Sequence, residues 1–152
     1  LVNPSDMGNL GTIIRTMAAF EIFDLAVITP AADIFDPKVI RASMGAFFRL
    51  RIACFTSFEK YISSLNAKGL SVDGEGHREL YPFMLNGTPM EHITHDSGCF
   101  SLILGNESRG LPESFINIGN PVRINHASTV DSLNLPVAAA IGIYYFTQHK
   151  RL

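Results

Sequence analysis

The sequence predicts a single α/β domain in which helices flank a mostly parallel β-sheet. Short apolar runs alternate with amphipathic stretches, and neither an internal repeat nor a low-complexity segment interrupts that alternation. The chain has 152 residues, the length of one domain with a core of its own. Hydrophobic residues make up 47% of the chain and charged residues 17%, a balance typical of globular rather than disordered proteins.

The first half reads as helix, strand, helix, strand and helix. Apolar side chains at helical spacing predict the first helix, and Asp36-Pro37, an N-cap followed by proline, predicts the second. Thr56 and Glu59 form a capping-box pattern for the third helix, and Gly69 is its C-terminal cap. The predicted ranges are a helix at about 10–20, a strand at 25–29, a helix from 36 to near 45, a strand at 50–55 and a helix from 56 to 69.

The second half contains more strand and loop. We predict a short strand at 70–73, an irregular polar segment at 74–97 with a short helix after Pro89, and a strand at 100–104. A short helix opened by Pro112, a last strand at 122–125 and a long helix from near Leu135 follow. The long helix is apolar on every side, so it is either buried all round or, as we favour, packed on the core with one face and on a dimer partner with the other.

Composition restricts the class of protein. The longest apolar run, residues 137–146, is too short to cross a bilayer, and no signal peptide is visible, so we expect no membrane partner. Cys54 and Cys99 each lie in an apolar, strand-like run, which predicts two buried, reduced thiols in a cytoplasmic protein. No Cys or His shows the spacing of metal ligands, and we predict no metal site.

The charge and the first residues give two further expectations. A net charge of −2 does not by itself indicate nucleic-acid binding, which a basic surface would. Leu1-Val2 reads as the tail of a strand whose start is missing. We therefore expect residues 1–152 to be a fragment of a longer chain, or a chain that lacks its N-terminal part.

Three polar loops follow predicted strands and carry the chemistry. Loop one (residues 3–15) and loop three (124–136) each join a strand to a helix, and loop two (104–112) follows the most apolar strand. Ligands of open α/β sheets bind at the carboxyl ends of parallel strands. Each loop alone is adequately explained as a helix cap or turn, with Asn9 capping the first helix and Asp131, Ser132 or Asn134 the last. Capping uses only one of these side chains in each loop, so several other polar side chains remain next to apolar residues without an assigned role.

The three loops resemble the motifs of one enzyme family. NLGTIIRT, LGNESRGL and DSLN, in this order, are similar to the motifs of the SpoU (TrmH-like) branch of the SPOUT methyltransferases, and RASMGA at 41–46 also matches. The resemblance covers nearly the whole chain. It implies a catalytic domain at 1–152 with a C-terminal trefoil knot, a homodimer, and methyl transfer from S-adenosylmethionine to a ribose 2′-hydroxyl of tRNA or rRNA. A true knot would be an exception among protein folds.

The resemblance also implies a cofactor site made by loops two and three. A backbone cradle would explain the glycine at position 105, where a side chain would block the adenosyl group, and apolar residues at 124 and 133 suit an adenine. The implied cofactor-binding residues are Leu104, Gly105, Asn106, Ile124, His126, Ser132, Leu133 and Asn134.

The implied catalytic residues are Arg15, Asn9, Glu107, Ser132 and Asn134. In that family, the matching arginine is often assigned the role of activating the ribose hydroxyl. Because a guanidinium essentially never loses its proton, we interpret Arg15 as an electrostatic group that holds the target phosphate and stabilises the developing alkoxide. The other four would orient Arg15 and shape the pocket. We predict that Arg15 lies about one turn inside its helix.

Loop three departs most from the family pattern. Asn125 stands where proline is usual, His126 where methionine is more frequent, and Ser128 where glycine is usual. His126 could therefore make a polar contact to cofactor or RNA, whereas His92 and His95 lie in a polar segment and are expected to be exposed.

Two other functions compete with methyl transfer. One is a non-catalytic knotted dimer that binds RNA or cofactor, against which the intact polar set argues. The other is a Rossmann-type oxidoreductase, which is disfavoured because Gly8 and Gly11 do not complete G-x-G-x-x-G and no ribose-binding acid is suitably placed.

Overall fold

The computed structural model describes residues 1–70, 78–94 and 98–148. Within these ranges the α-helices are α1 (Met7–Ala19), α2 (Pro37–Ala42), α3 (Phe58–Ala67) and α4 (Leu135–Gln148). The strands are β1 (Asp24–Ile28), β2 (Arg51–Phe55), β3 (Arg78–Pro89), β4 (Cys99–Ile103) and β5 (Val122–Arg123), and short 3-10 helices lie at Ala46–Arg49, Met90–His92 and Glu113–Asn117. Most of the strand predicted at 70–73, and His95, lie outside the described residues.

The strands pair in parallel, which confirms the predicted mixed α/β fold. β1 pairs with β2, and β3 lies between β4 and β5. Residues 1–3 connect the two sheets, because the Val2 N–H donates to the Leu104 carbonyl (2.8 Å) and the Ile28 N–H donates to the Leu1 carbonyl (2.8 Å). Loops two and three follow β4 and β5, so they emerge at the same edge.

Helix α1 begins three residues earlier than predicted. Its N-cap is Asp6, whose carboxylate accepts the Asn9 N–H at 2.7 Å, so the prediction of Asn9 as the cap is wrong. Leu10, Ile13 and Ile14 face the core and are almost completely buried. On the same helix, a Cβ at Gly11 would lie 2.5 Å from the Ala42 Cβ, so glycine permits close packing of α1 on α2.

The predicted N-cap of α2 is confirmed, whereas the N-cap of α3 lies one residue later than predicted. Asp36 caps α2 and accepts the Lys38 N–H at 2.7 Å, which confirms the Asp36-Pro37 signal. The cap of α3 is Ser57 and not Thr56, since the extended Ser57 accepts the Lys60 N–H at 3.4 Å. Thr56 and Ser57 are adjacent and each has a hydroxyl that can cap a helix, so only the backbone conformation decides which of them is the cap.

Helix α4 is buried on one face. Its buried residues are Leu135, Pro136, Ala139, Gly142, Ile143 and Phe146, and it packs on α1. Its opposite face is apolar but open, with Val137 48% and Tyr144 57% exposed. Burial of the helix on all sides within one chain, the alternative reading of its sequence, is therefore wrong.

The prediction of an irregular segment at 74–97 is wrong for residues 78–89, which form strand β3. Residues 74–77 and 95–97 of that segment lie outside the described residues. Leu80 and Tyr81 are buried, and β3 pairs with β4 over Arg78–Pro82. β5 pairs with β3 only from Phe83 onwards, after Pro82. The missing N–H of Pro82 therefore interrupts no ladder on that side. The short helix predicted after Pro89 is confirmed as Met90–His92.

Two smaller expectations also fail. Cys54 and Cys99 are exposed rather than buried, because Cys54 lies on β2, paired only with β1, and Cys99 is the first residue of β4. The last strand ends at Arg123 instead of residue 125.

Over the described part of the chain, none of the helices has the length and apolar character needed to span a bilayer.

Candidate active site

The Glu107 carboxylate joins loop two to loop one. One oxygen accepts the Ser5 N–H (3.0 Å) and the Ser5 hydroxyl (2.8 Å), and the other accepts the Asp6 N–H (3.1 Å) and the Asn9 side-chain amide (3.5 Å). These donors surround the start of α1, where unpaired N–H groups and the helix dipole favour a negative charge. Two of the implied catalytic residues, Asn9 and Glu107, are thus in direct contact.

Asn106 makes a second connection between the same loops. Its amide donates to the Asn3 carbonyl (2.9 Å) and to the Ser5 hydroxyl (3.2 Å). Its oxygen accepts the N–H groups of Ser108 (3.0 Å) and Arg109 (3.2 Å), which fixes the turn of loop two. Ser5 was not among the residues predicted from the sequence, although the polar run before the first helix was a signal for it.

The ionisation of Glu107 depends on these hydrogen bonds. Partial burial raises the pKa of its carboxyl, but the hydrogen bonds from Ser5 and Asp6 outweigh burial and hold the pKa below its ordinary value of 4.5. The ionised form is therefore favoured in the folded chain. Its contribution to stability is complete above the unfolded pKa and is lost as the pH falls through the lower folded pKa.

A pH series of urea unfolding checks this linkage. The difference in free energy of unfolding between the wild type and Glu107→Gln should be largest near neutral pH and should begin to shrink as the pH falls below about 4.5, the unfolded pKa. It should reach its minimum below the lower folded pKa, where both side chains are uncharged in both states. A difference that stays constant between neutral and acidic pH would show that the charge of Glu107 is irrelevant to the contact.

Loop two itself explains the glycine at position 105. A Cβ there would lie 2.2 Å from the Gly110 carbonyl carbon and 2.4 Å from the Leu111 nitrogen. Asn106 and Gly110 exchange backbone hydrogen bonds of 3.1 and 2.9 Å, which hold these atoms in place. Space for an adenosyl group, the reason inferred from the sequence, is therefore not needed to account for Gly105.

We predict that Gly105→Ala lowers the free energy of unfolding by about 1–3 kcal/mol, since a rigid backbone rather than a flexible side chain must move. Chemical denaturation measures the effect. Gly45→Ala is the control, because no atom lies within 4 Å of its added Cβ and only its φ of +84° is unfavourable. Gly105→Ala that is no more destabilising than Gly45→Ala would contradict the steric explanation.

Loop three is exposed and leaves its polar groups available. The side chains of Ser132 and Asn134 are exposed and form no hydrogen bond within the described residues. The backbone carbonyl of Asn134 accepts the Ala138 N–H (2.9 Å) at the start of α4. Capping of α4 by the side chain of Asp131, Ser132 or Asn134 is therefore not observed.

The unusual residues of loop three have local partners. The Asn125 amide donates to the Glu91 carboxylate and its oxygen accepts the Arg123 Nε–H (3.1 Å), so loop three is tied to the 3-10 helix that follows β3. His126 Nδ1 lies 2.9 Å from the Ile124 carbonyl, and since a carbonyl can only accept, Nδ1 carries the proton.

Loops two and three carry the residues that the sequence predicts to bind the cofactor. Leu104 is buried, whereas Ile124 and Leu133 are half-buried and can pack against an apolar ligand ring. Residues 84–89 at the end of β3 lie between the two loops in the strand order, and the sequence analysis missed them. The half-buried apolar side chains of loop three, together with its exposed hydroxyl and amide groups, have the chemistry needed to bind the ring and the polar atoms of a nucleoside. Over the described ranges, no three His, Cys, Asp or Glu residues are grouped to hold a metal ion.

Arg15 forms no hydrogen bond with the Glu107 cluster, which we define as the hydrogen-bonded residues Ser5, Asp6, Asn9, Asn106 and Glu107. Arg15 was predicted to lie about one turn inside the first helix. Because α1 begins at Met7, Arg15 instead lies in the third turn of that helix. It is exposed and makes no hydrogen bond or ion pair with any described residue. It borders a cavity of about 320 Å³ together with Ser43, Gly45 and Arg49. Within one chain, then, Arg15 makes no hydrogen bond to Asn9 or Glu107.

Residues 1–144 match the SpoU rRNA methylase family. The chain is 32% identical over 145 residues to the 23S rRNA (guanosine(2553)-2′-O)-methyltransferase RlmP of Bacillus subtilis, an alignment that covers 92% of this chain and 53% of the relative. It is 31% identical over 151 residues to the 23S rRNA (uridine(2479)-2′-O)-methyltransferase of Streptomyces viridochromogenes, covering 93% and 48%. The chain spans about half the length of these two relatives.

Solved structures of rRNA and SpoU methyltransferases are also similar to this chain. The AdoMet-bound rRNA methyltransferase from Sinorhizobium meliloti superposes with a TM-score of 0.85 at 31% identity, over 99% of this chain and 55% of that one. The SpoU methyltransferase AviRb from Streptomyces viridochromogenes, in complex with AdoMet, superposes with a TM-score of 0.87 at 27% identity, over 98% and 58%.

Proposed function

This chain belongs to the SpoU rRNA methylase family, and from that premise we propose that it transfers a methyl group from S-adenosylmethionine to a ribose 2′-hydroxyl of rRNA or tRNA. Residues 1–152 would be the catalytic domain. The observation that carries the proposal is the Glu107 cluster. It links the two loops whose sequences match family motifs, so the start of α1 is held in a fixed position beside loop two.

The cofactor would lie between loops two and three. Backbone at Gly105 and Asn106, with the side chains of Ile124 and Leu133, would enclose the adenosyl group. Leu104, His126, Ser132 and Asn134 complete the proposed set. When bound, S-adenosylmethionine supplies a methyl carbon made electrophilic by its sulfonium sulfur. The hydroxyl of Ser132 and the amide of Asn134 are supported as polar contacts because neither has a hydrogen-bond partner among the described residues.

Arg15 would act on the RNA. The 2′-oxygen forms a bond to the methyl carbon while the carbon–sulfur bond breaks, and the hydroxyl proton leaves to the target phosphate or to water. Arg15 would hold that phosphate and stabilise the negative charge that develops on the 2′-oxygen. Its freedom from ion pairs within the described chain supports this role, because its charge is not neutralised by a protein carboxylate. Asn9, Glu107, Ser132 and Asn134 would align the reacting groups.

A homodimer would complete the site. The apolar face of α4, with Val137 and Tyr144 exposed, is the surface we assign to the partner copy, and its burial would remove apolar area from water. Because Arg15 forms no hydrogen bond with the Glu107 cluster within one chain, an arrangement in which two chains contribute is also supported. We further propose that loop three and α4 form the trefoil knot typical of this superfamily.

We predict that Val137→Glu and Tyr144→Glu each convert the dimer to a monomer, because a carboxylate would have to be buried without a partner. Sedimentation equilibrium measures the change. Ala67→Glu, at an exposed position of α3, is the control and should leave the dimer intact. Dimers that persist in both α4 variants would assign the interface to another surface.

Two measurements separate an enzyme from a non-catalytic binding module. Calorimetry tests whether the chain binds S-adenosylmethionine, and a transfer assay on bulk tRNA and rRNA tests turnover. We expect binding and transfer. Cofactor or RNA binding without transfer would instead support the binding module.

A further inference from the structure

A second arginine shares the cavity that Arg15 borders. The cavity of about 320 Å³ lies between the third turn of α1 and the turn that precedes and includes the 3-10 helix Ala46–Arg49. Arg49 is exposed at the end of that helix. The other residues around the cavity are small or apolar: Ala18, Ala19, Ser43, Met44, Gly45 and Ala46.

The two guanidinium groups have no counter-charge among the residues that the structure describes. Neither Arg15 nor Arg49 forms an ion pair or hydrogen bond with any described residue, and no carboxylate borders the cavity. Arg51, two residues further along, is different, because it makes two 2.7 Å contacts with the Asp24 carboxylate. Two like charges left on one concave surface favour a bound anion, and planar guanidinium groups match phosphate oxygens.

The base of the cavity is fixed by a buried side chain. Ser43 is completely buried, its hydroxyl donates to the Ile40 carbonyl (2.7 Å), and its oxygen accepts the Phe47 N–H (3.4 Å). Met44 and Gly45 follow with φ of +50° and +84°, which turns the chain sharply toward Arg49. The position of Arg49 relative to α1 is therefore set by this turn and by its packing on the helix.

Exposed apolar side chains extend the surface beside the arginines. Phe48 is 78% exposed and Met44 is 72% exposed, and Phe48 makes an edge contact with the ring of Phe47. Arginines that contact phosphates next to an aromatic ring that can stack on a base are the combination by which proteins hold single-stranded nucleic acid.

We propose that this cavity is an RNA subsite in which Arg49 binds the phosphate of a nucleotide adjacent to the one served by Arg15, with Phe48 beside the neighbouring base. The inference rests on the proposed function, since it takes RNA as the substrate. It also accounts for RNA binding by a chain with a net charge of −2, because the contact depends on two uncompensated arginines rather than on a basic surface.

The test uses the full chain and an unmodified in vitro transcript of 23S rRNA. Arg49→Gln should weaken binding about tenfold and lower the slope of log affinity against log salt by about one, the effect of one lost phosphate contact. Arg49→Lys should recover part of the affinity. Lys60→Gln, which removes an exposed charge from α3, is the matched control and should change affinity by less than about twofold. Calorimetric affinity for S-adenosylmethionine should be the same in all four proteins.

Two results would overturn the subsite. One is RNA affinity and salt slope in Arg49→Gln that equal those of the wild type. The other is loss of the dimer in Arg49→Gln at unchanged RNA affinity, which would assign the surface to a second copy of the chain. A wild type that binds RNA through Arg49 but transfers no methyl group would contradict the proposed function and leave the subsite standing.

Discussion

Arg15→Ala is expected to lower methyl transfer by about 10²–10³-fold, the usual effect of removing one group that stabilises developing negative charge. Arg15→Lys should keep measurable activity, since it retains a positive charge but loses the planar, two-pronged geometry. Stability should be unchanged in both variants, because Arg15 is exposed and bonds to no described residue.

Turnover is measured with saturating S-adenosylmethionine, and calorimetric binding of the cofactor shows that loops two and three are intact. Lys60→Ala, which removes an exposed charge from another helix, is the control. Full activity in Arg15→Ala would refute the catalytic assignment. Complete and equal loss in the alanine and lysine variants, with RNA binding intact, would show that the guanidinium geometry and not its charge is required.

Glu107→Ala is expected to have the second-largest effect. It removes the acceptor of hydrogen bonds from Ser5, Asp6 and Asn9, so we predict a loss of about 2 kcal/mol in the free energy of unfolding. Loop one would then lose its fixed position on loop two. Because small misplacements of reacting groups are costly, methyl transfer should fall by about tenfold or more even where the chain remains folded.

Glu113→Ala is the matched control, since Glu113 is an exposed glutamate of the 3-10 helix Glu113–Asn117 whose carboxylate accepts no hydrogen bond from any described residue. A double-mutant cycle with Ser5→Ala isolates the contact itself. We expect the two changes to be non-additive, because both remove the hydrogen bond from the Ser5 hydroxyl to the Glu107 carboxylate. Additive effects, or wild-type stability in Glu107→Ala, would contradict the proposed link between the loops.

Local patterns predicted most of the fold. The cap at Asp36, the apolar run of β4 and the start of α4 each depend on a few neighbouring residues, and all three were predicted within a residue or two. Strand β3 was missed because its partners β4 and β5 come from later parts of the chain, and pairing with them overrides the polar local sequence. The exposure of the cysteines likewise depends on which strands have neighbours.

The candidate site was predictable as a set of residues but not as a geometry. Loop motifs identified Glu107 and Asn9, yet the contact between Glu107 and Ser5 spans 102 positions and has no local signature. The earlier start of α1 moved Arg15 by about a turn from its expected place. Arg49 is part of no motif, and only the cavity that it shares with Arg15 draws attention to it.

The most direct test of methyl transfer to ribose uses S-adenosylmethionine labelled with tritium in its methyl group and unmodified tRNA and rRNA transcripts. We predict that the label will be found in dinucleotides that resist alkaline hydrolysis, because a 2′-O-methylated ribose cannot attack its own phosphate. Mapping of 2′-O-methyl sites in cells that lack the protein would then identify the nucleotide. Label found only in base-methylated mononucleotides, or no label from a chain that binds the methyl donor, would contradict the proposed activity.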